Sequence, residues 1–343
     1  MVEDPLSEPP EYNSTGVIEV LGHRYEHNAK ELYSGLPAAI KNNIPSFSLE
    51  STKRILEKNM NVIDQTLEPL PDSVLILTPV KNNAKHLARY FSLLDKLDYP
   101  RDRISIAFLV SDSIDATQKM LLKSQRWYQE QGPKEMRFRR FDIYRQDFFY
   151  NLPRGQRHSR NRQQERRTVI ARARNYLWTR ALENEQWVLW MDGDLEYYPT
   201  TILRDLMAYD KDIIVPNCLL RRGKINGRWD EIVYDRNAWQ ETKKSREAIA
   251  KLDKDVFLLE GYKSLVTHRR YLDDFSKNDT IVPLDGVGGI FTLVKADVHR
   301  SGVVFPIWLF EHQVETEGFA KLAKANGFGV YGLPYYYIRH IFS

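Results

Sequence analysis

Asp192 and Asp194 stand one residue apart in WVLWMDGDLE, where a run of apolar residues stops. Two carboxylates emerging together from the end of a buried strand suit a hard divalent cation that bridges a diphosphate. An Asp-Gly turn carrying two solvated acids has the same local sequence, so the pair decides nothing alone. Its weight comes from two other strand ends, TPVKNN and SDS, which also turn polar. In a parallel sheet, ligands bind outside the carboxyl ends of the strands.

Eight arginines lie between Arg154 and Arg174, with Glu165 the only acid among them. The front half, PRGQRHSRNRQQ, has no periodicity and reads as a loop, whereas Arg167, Ala171 and Arg174 share one face of a helix. A guanidinium fork suits a diphosphate. A solvated basic loop and a nucleic-acid contact compete with that reading, and the lack of interleaved aromatic residues argues against nucleic acid. In LDGVGG, Asp285 stands beside glycines that either let backbone approach a ligand or form a bulge or hairpin turn. Glu311, Glu315 and Glu317 cluster at a helix start, where they complement the helix dipole and where one can serve as a catalytic or acceptor-binding carboxylate. His340, in the closing YYYIRHIFS, reads by itself as a surface or packing residue. Cys218 follows the apolar IIVPN and reads as a core residue, since no base can be placed beside it.

Several classes are excluded. No GxxxxGK[ST] is present and no GxGxxG follows the first strand, which sets aside P-loop nucleotidases and Rossmann dehydrogenases. The 343 residues carry 50 Lys+Arg against 46 Asp+Glu, a net charge of +4 that is mild for a nucleic-acid polyelectrolyte. With 42% apolar residues the chain has the composition of an ordinary globular protein of one or two domains. A single cysteine permits no internal disulfide, and no Cys/His cluster has structural-zinc spacing. No window approaches 18 consecutive apolar residues, so the chain reads as soluble or as a lumenal fragment of an anchored protein. Sequons at Asn13 and Asn278 count weakly for a secretory location.

These residues need a scaffold, and the chain supplies an alternating one. Residues 1–72 read as an extension containing one short helix, SLESTKRILEKNMNVIDQTL. From Ser73 to the C-terminus (73–343), SVLILTPV, IAFLVSDS, FRRFDIY, WVLWMD and DIIVPN read as strands. Helices fall between them, over Ala84–Leu94, from about Ala116, and through Val169, Leu177 and Ala181. That alternation predicts an α/β fold with a mostly parallel central sheet flanked by helices. After about residue 220 the pattern loosens, leaving a strand, IFTLVKA, and a helix, ETEGFAKLAKANG.

Nine ordered segments between Ser73 and His340 resemble the fungal mannan polymerase glycosyltransferases, family 62. They are VLILTPVKN, FLVSDS, QERRTVIARARN, WVLWMDGDLE, NAWQET, LLEGY, LDGVGGIFTLVKADVHRSG, ETEGFAKLAKANGFGVYGLP and RHI. Within that family the chain is most similar to the vanadate-resistance-type subunit.

The resemblance implies a GT-A-like fold and retaining, metal-dependent transfer of mannose from GDP-mannose to an α-mannoside acceptor. It further implies an α-1,6 backbone on N-glycans and a heteromeric complex with another subunit of the family. The location it implies is the Golgi lumen, the full protein being a type II membrane protein anchored by a segment absent from this chain. By the same resemblance, Asp192 and Asp194 match the DxD that holds Mn²⁺ and sugar nucleotide, and His340 matches the histidine completing the metal site. Thr78, Pro79, Val80 and Asp112 match the base and ribose pocket, and Arg174 lines the nucleotide side. Asp285 and Glu315 match acceptor-side carboxylates and are the candidate catalytic residues, Asp285 as the carboxylate at the oxocarbenium-like centre, although the frequent Glu-Asp pair is Glu315-Thr316 here. The alternative within the family is a catalytically weak nucleotide-binding or docking subunit that supports an active partner.

Overall fold

The computed structural model describes residues 16–20, 23–27, 70–153, 156, 159–225, 228–259 and 267–342. The helix expected over SLESTKRILEKNMNVIDQTL, the sequon at Asn13, and Arg154 and Arg157 of the basic loop lie outside them. The chain divides into two compact units, residues 1–65 and 66–343. In the first, β1 (Gly16–Val20) and β2 (His23–His27) form an antiparallel hairpin that the sequence did not announce.

The second unit is built on a ten-stranded sheet. Its first six strands are β3 (Leu70–Val80), β4 (Ile104–Val110), β5 (Arg140–Arg145), β6 (Glu185–Met191), β7 (Leu195–Tyr197) and β8 (Ile213–Ile225). β9 (Arg228–Val233) folds back on β8, and β10 (Trp239–Gln240) pairs with β11 (Arg270–Tyr271) in a separate ribbon. β12 (Val282–Pro283), β13 (Phe291–Lys295) and β14 (Val330–His340) complete the sheet. Its order is β12-β14-β8-β13-β6-β3-β4-β5, with β7 on β14 and β9 on β8. β3 to β6 are mutually parallel, β14 is parallel to β8, and β13 runs antiparallel between β6 and β8. This is the α/β arrangement predicted above, a mostly parallel central sheet flanked by helices.

Both faces are covered, as continuous apolar strands require. Val74, Ile76 and Phe108 point to one face, packed with Leu87, Phe91 and Leu94 of α1 (Ala84–Leu94) and Leu121 of α2 (Thr117–Arg126). Leu75, Leu77 and Trp190 point to the other, against Ala171 and Leu177 of α3 (Gln163–Ala181). The buried stripe of α3 also carries Arg167 and Arg174, an unusual use of a core-facing helix surface. α4 (Ile202–Ala208) covers the first face. Three further helices follow: α5 (Lys243–Ile249), α6 (Ala296–Arg300) and α7 (Glu315–Ala325).

Trp190 on β6, two residues ahead of Asp192, is braced from α6. Its indole Nε1 donates to Nε2 of the fully buried His299 at 3.1 Å, and Nδ1 of His299 lies 3.2 Å from the Val303 carbonyl. A neutral ring with its proton on Nδ1 satisfies both contacts, whereas a second ring N–H would face the indole N–H. Burial pushes the His299 pKa from 6.5 down to about 4, with the Val303 carbonyl opposing and Arg300 reinforcing. The unfolded chain therefore takes up this proton at higher pH than the folded one. Stability from this site is complete above about pH 6.5 and should fall as pH drops toward 4, by up to about 3 kcal/mol. Urea unfolding at stepped pH values should show the loss, and His299→Gln should flatten it; an unchanged slope in that variant would exclude the ring as its source.

Candidate active site

The carboxyl ends of β3 and β4 are held by their own polar residues. Asn83 sends Nδ2 to the Gly193 carbonyl at 3.2 Å, which ties the β3 end to the Asp192–Asp194 turn. An α-carbon branch at Gly193 would overlap this Asn83 amide. Asp112 adopts a left-handed backbone (φ 46°), and its carboxylate accepts the Phe149 amide at 2.9 Å and lies 3.8 Å from Lys81. Lys81 also donates to the Tyr150 carbonyl and to Asn151. Of the predicted base pocket, Thr78 is fully buried with its hydroxyl bonded to Tyr90 at 2.8 Å, Val80 is buried and Pro79 half-buried. Thr78 thus spends its side chain inside the core and has only backbone to offer a ligand.

Arg174 is the centre of the arrangement. Its Nε donates to Glu315 at 3.2 Å, and its Nη2 lies 3.8 Å from Asp192 and 3.5 Å from the Gly289 carbonyl. The rings of Trp190 and Phe305 flank the guanidinium at 5.1 and 5.5 Å. Nη1 is buried without a hydrogen-bond partner, an unmet donor beside two carboxylates. Burial pushes the Asp192 carboxyl up to about 7; Arg174 and His340 oppose that rise, while Asp194 and Glu315 add to it.

His340 reaches the turn because β14 runs antiparallel beside β7, pairing His340 with Leu195, and the Ile341 amide donates to the Asp194 carbonyl. Its Nε2 is 3.1 Å from Asp194 Oδ1, its Nδ1 is 2.7 Å from the Ile341 carbonyl, and Tyr234 lies on its ring at 4.2 Å. Burial works to raise the Asp194 pKa, yet the hydrogen bond and charge of His340, with His86, hold it below the ordinary carboxylate range.

Among the described residues no three His, Cys, Asp or Glu side chains converge on a common metal position. The donor chemistry nevertheless fits a divalent cation. An Nδ1–H donated to the Ile341 carbonyl leaves Nε2 facing a carboxylate, and the proton that reconciles them stands where a cation would. Asp192, partly exposed beside it and 3.8 Å from Arg174, is a second carboxylate oxygen donor.

Glu315 is buried at the start of α7 with φ 55°, in a stretch where Glu311 (46°) and His312 (68°) are also left-handed. Three such non-glycine residues within residues 311–315 mark a strained loop of the kind found at ligand sites. Asp285 is placed differently from the others. Its Oδ2 accepts the Glu241 amide at 2.7 Å and its Oδ1 pairs with Lys324.

One buried carboxylate, Asp235, escaped the sequence reading, and a second, Glu317, named there only as part of the acidic helix start, is engaged inside the protein. Asp235, bonded to the Asn237 amide at 3.0 Å, is pushed up to about 6, chiefly by burial. It abuts Gly288 so closely that a Cβ there would overlap its carboxylate. Glu317 pairs with Arg167 and accepts from Trp239 Nε1 at 2.8 Å, while Arg167 also reaches Asn237 at 3.0 Å. The only local signal for Asp235 was its position just ahead of NAWQET.

The Anp1 family matches residues 55–308. The chain is 39% identical over 295 residues to the mannan polymerase complex subunit mnn9 of Schizosaccharomyces pombe, covering 82% of this chain and 84% of that one. It is 40% identical over 279 residues to the mannan polymerase II complex anp1 subunit of the same organism, covering 79% and 64%. Against the vanadate resistance protein of Candida albicans it is 37% identical over 213 residues, covering 60% and 48%. It therefore spans less than two thirds of the last two, and the narrow spread of identities does not separate one subunit type from another. Among solved structures, the mannosyltransferase PcManGT of Pyrobaculum calidifontis, in complex with GDP-Man and Mn²⁺, aligns over 80% of this chain and 59% of its own at 13% identity, with a TM-score of 0.42.

The buried pair beneath the site yields a stability prediction. Arg167→Met leaves the fully buried Glu317 without its counter-charge and should cost about 3–5 kcal/mol. Adding Glu317→Gln should recover part of that loss, because the uncompensated charge is gone. Chemical denaturation of the single and double variants measures both; equal stabilities of wild type and Arg167→Met would show that the pair contributes nothing.

Proposed function

We propose the following for this chain, which belongs to the Anp1 family: it transfers mannose from GDP-mannose to an α-mannoside acceptor. Transfer is with retention and extends an α-1,6 backbone on N-glycans, as one subunit of a heteromeric mannan polymerase in the Golgi lumen. The observation that carries this reading is the meeting of Asp192, Asp194, His340 and Arg174 at the strand ends. Relatives named as mannan polymerase subunits support the sugar and the complex. No described helix is long and apolar enough to cross a membrane.

In this reading Asp192, Asp194 and His340 hold Mn²⁺, which when bound supplies a Lewis acid to the departing diphosphate. Arg174, with Nη2 3.8 Å from Asp192, places a fixed positive charge behind the metal-side carboxylate where the leaving group's charge develops, and Glu315 fixes the guanidinium by accepting from Nε. The ring of Tyr234 and the Ile341 carbonyl orient His340 so that Nε2 points at Asp194. Thr78, Pro79, Val80 and Asp112 form the nucleoside side through backbone and strand ends. Asp285 and Glu315 serve the acceptor side, with Asp235 a third carboxylate available near the reacting centre.

One observation favours a second reading, a subunit that binds nucleotide but supports an active partner: Asp285 is already engaged by Lys324 and the Glu241 amide. Transfer of label from GDP-mannose to α-mannose oligomers, measured alone and with a second family member, separates the two. Label transferred by the isolated chain supports the enzyme; transfer only with the partner, and undiminished by Asp192→Asn, supports the second reading.

Nucleotide and metal are tested by thermal unfolding. GDP with Mn²⁺ at a hundredfold excess over Kd should stabilise the fold by about 2.7 kcal/mol. Asp194→Asn should remove the Mn²⁺-dependent part of the shift. A shift with UDP but not GDP would refute the donor.

A further inference from the structure

We propose that the groove between the β8–β9 hairpin and residues 334–337 of β14 binds a mannose unit of the acceptor chain, away from its reacting end. The proposal rests on the mannosyl-transfer reading above and adds a subsite to it. The groove encloses about 490 Å³, within the range of small-molecule sites. It opens where the pairing of β14 with β8 shifts register between Leu333 and Tyr337.

Three features define its ligand. Tyr335 and Tyr337 are 36% and 39% exposed, their rings 6.4 Å apart at 83°, so one presents a face where the other presents an edge. Asn217, only 2% exposed, lines the groove; its Nδ2 donates to the Pro334 carbonyl at 2.9 Å, while its Oδ1 has no hydrogen-bond partner in the structure. Charged groups on the walls are already fixed: Arg236 pairs with Asp273 at 3.3 Å, and Glu231 accepts from Arg221 and Arg339 at 2.7 and 2.9 Å.

A buried acceptor without a donor calls for a hydroxyl or N–H from the ligand. Exposed tyrosine faces call for an apolar surface with polar edges. A neutral pyranose has both, in C–H faces rimmed by hydroxyls. A phosphate would meet Asp273, Glu231 and a bare carbonyl, and a wholly apolar segment would leave Asn217 unsatisfied. The groove also adjoins the site along the chain. Val233 and Arg236 line it, and Tyr234 between them lies on the ring of His340.

The test is calorimetric titration of an α-1,6-linked mannotetraose into the protein without donor, alongside the GDP and Mn²⁺ thermal shift. Tyr337→Ala should weaken mannotetraose binding about tenfold, and Tyr337→Phe should stay close to wild type. The GDP shift should be the same in all three proteins. If Tyr337→Ala loses that shift, Tyr335→Ala replaces it and should weaken the sugar in the same way, since it removes the other ring of the pair. Unchanged sugar affinity in a variant that keeps its GDP shift overturns the groove assignment. So does the absence of mannotetraose binding to a wild-type protein that shows the GDP shift. Absence of both in wild type overturns the mannosyl-transfer reading with it.

Discussion

The guanidinium of Arg174, 5% exposed, is the constraint around which the rest of the site is arranged. A charge taken that far from water must be matched by carboxylates, carbonyls and ring faces, or it would cost more than the helix carrying it can supply. The chain meets that demand from four separate places: Glu315 on α7, Asp192 after β6, the Gly289 carbonyl before β13, and the rings of Trp190 and Phe305. Each is thereby held in position relative to the others. Arg167, two turns earlier on the same stripe of α3, repeats the device with Glu317 and Asn237. The two ion pairs tie α3 to α7 within the apolar core to which both helices also contribute, which is how a core-facing helix surface can carry arginines.

The strands of this fold were legible because they are buried on both faces and read as unbroken apolar runs ending in polar residues. The Asp192–Asp194 turn was legible for the same reason, being local to one strand end. His340 was not legible from its own surroundings. Its meeting with Asp194 depends on β14 returning beside β7, a pairing between segments far apart in sequence, and only resemblance pointed to it. Thr78 shows the opposite failure. Its place at a strand end is as expected, but strand alternation turns its hydroxyl to Tyr90 and the core. The loosened pattern after residue 220 concealed Asp235 and Trp239, because short ribbons and bridges have no period to detect.

The glycines of LDGVGG admitted two readings, close approach to a ligand or a turn requiring unusual backbone. The structure supports close approach, but by the protein's own side chains. Trp239 lies against Gly286, Asp235 against Gly288 and Arg174 against Gly289, each where a Cβ would collide. None of the three glycines has positive φ. Their role is to let an indole, a carboxylate and a guanidinium settle at the backbone preceding β13, side by side. A segment read as a possible binding loop is therefore a packing surface that fixes the spacing of binding groups.

The left-handed residues of the 311–315 loop follow from the same geometry. Glu315 must aim at Arg174 while Glu317, half a turn on, enters the indole of Trp239 and the guanidinium of Arg167. A helix beginning with relaxed backbone would not bring the first carboxylate round to α3 while the second points inward. The φ of 55° at Glu315, with its amide held by the Pro306 carbonyl, is the local cost of aligning both. Interactions on both sides of the loop hold it: Lys321 pairs with Glu311 at 3.2 Å, and His312 Nδ1 meets the Val256 carbonyl at 2.9 Å. Strain of this kind persists only where surrounding contacts over-determine it. One contact, Glu315 with Arg174, belongs both to the loop and to the guanidinium, so the strained loop and the buried charge are coupled through it.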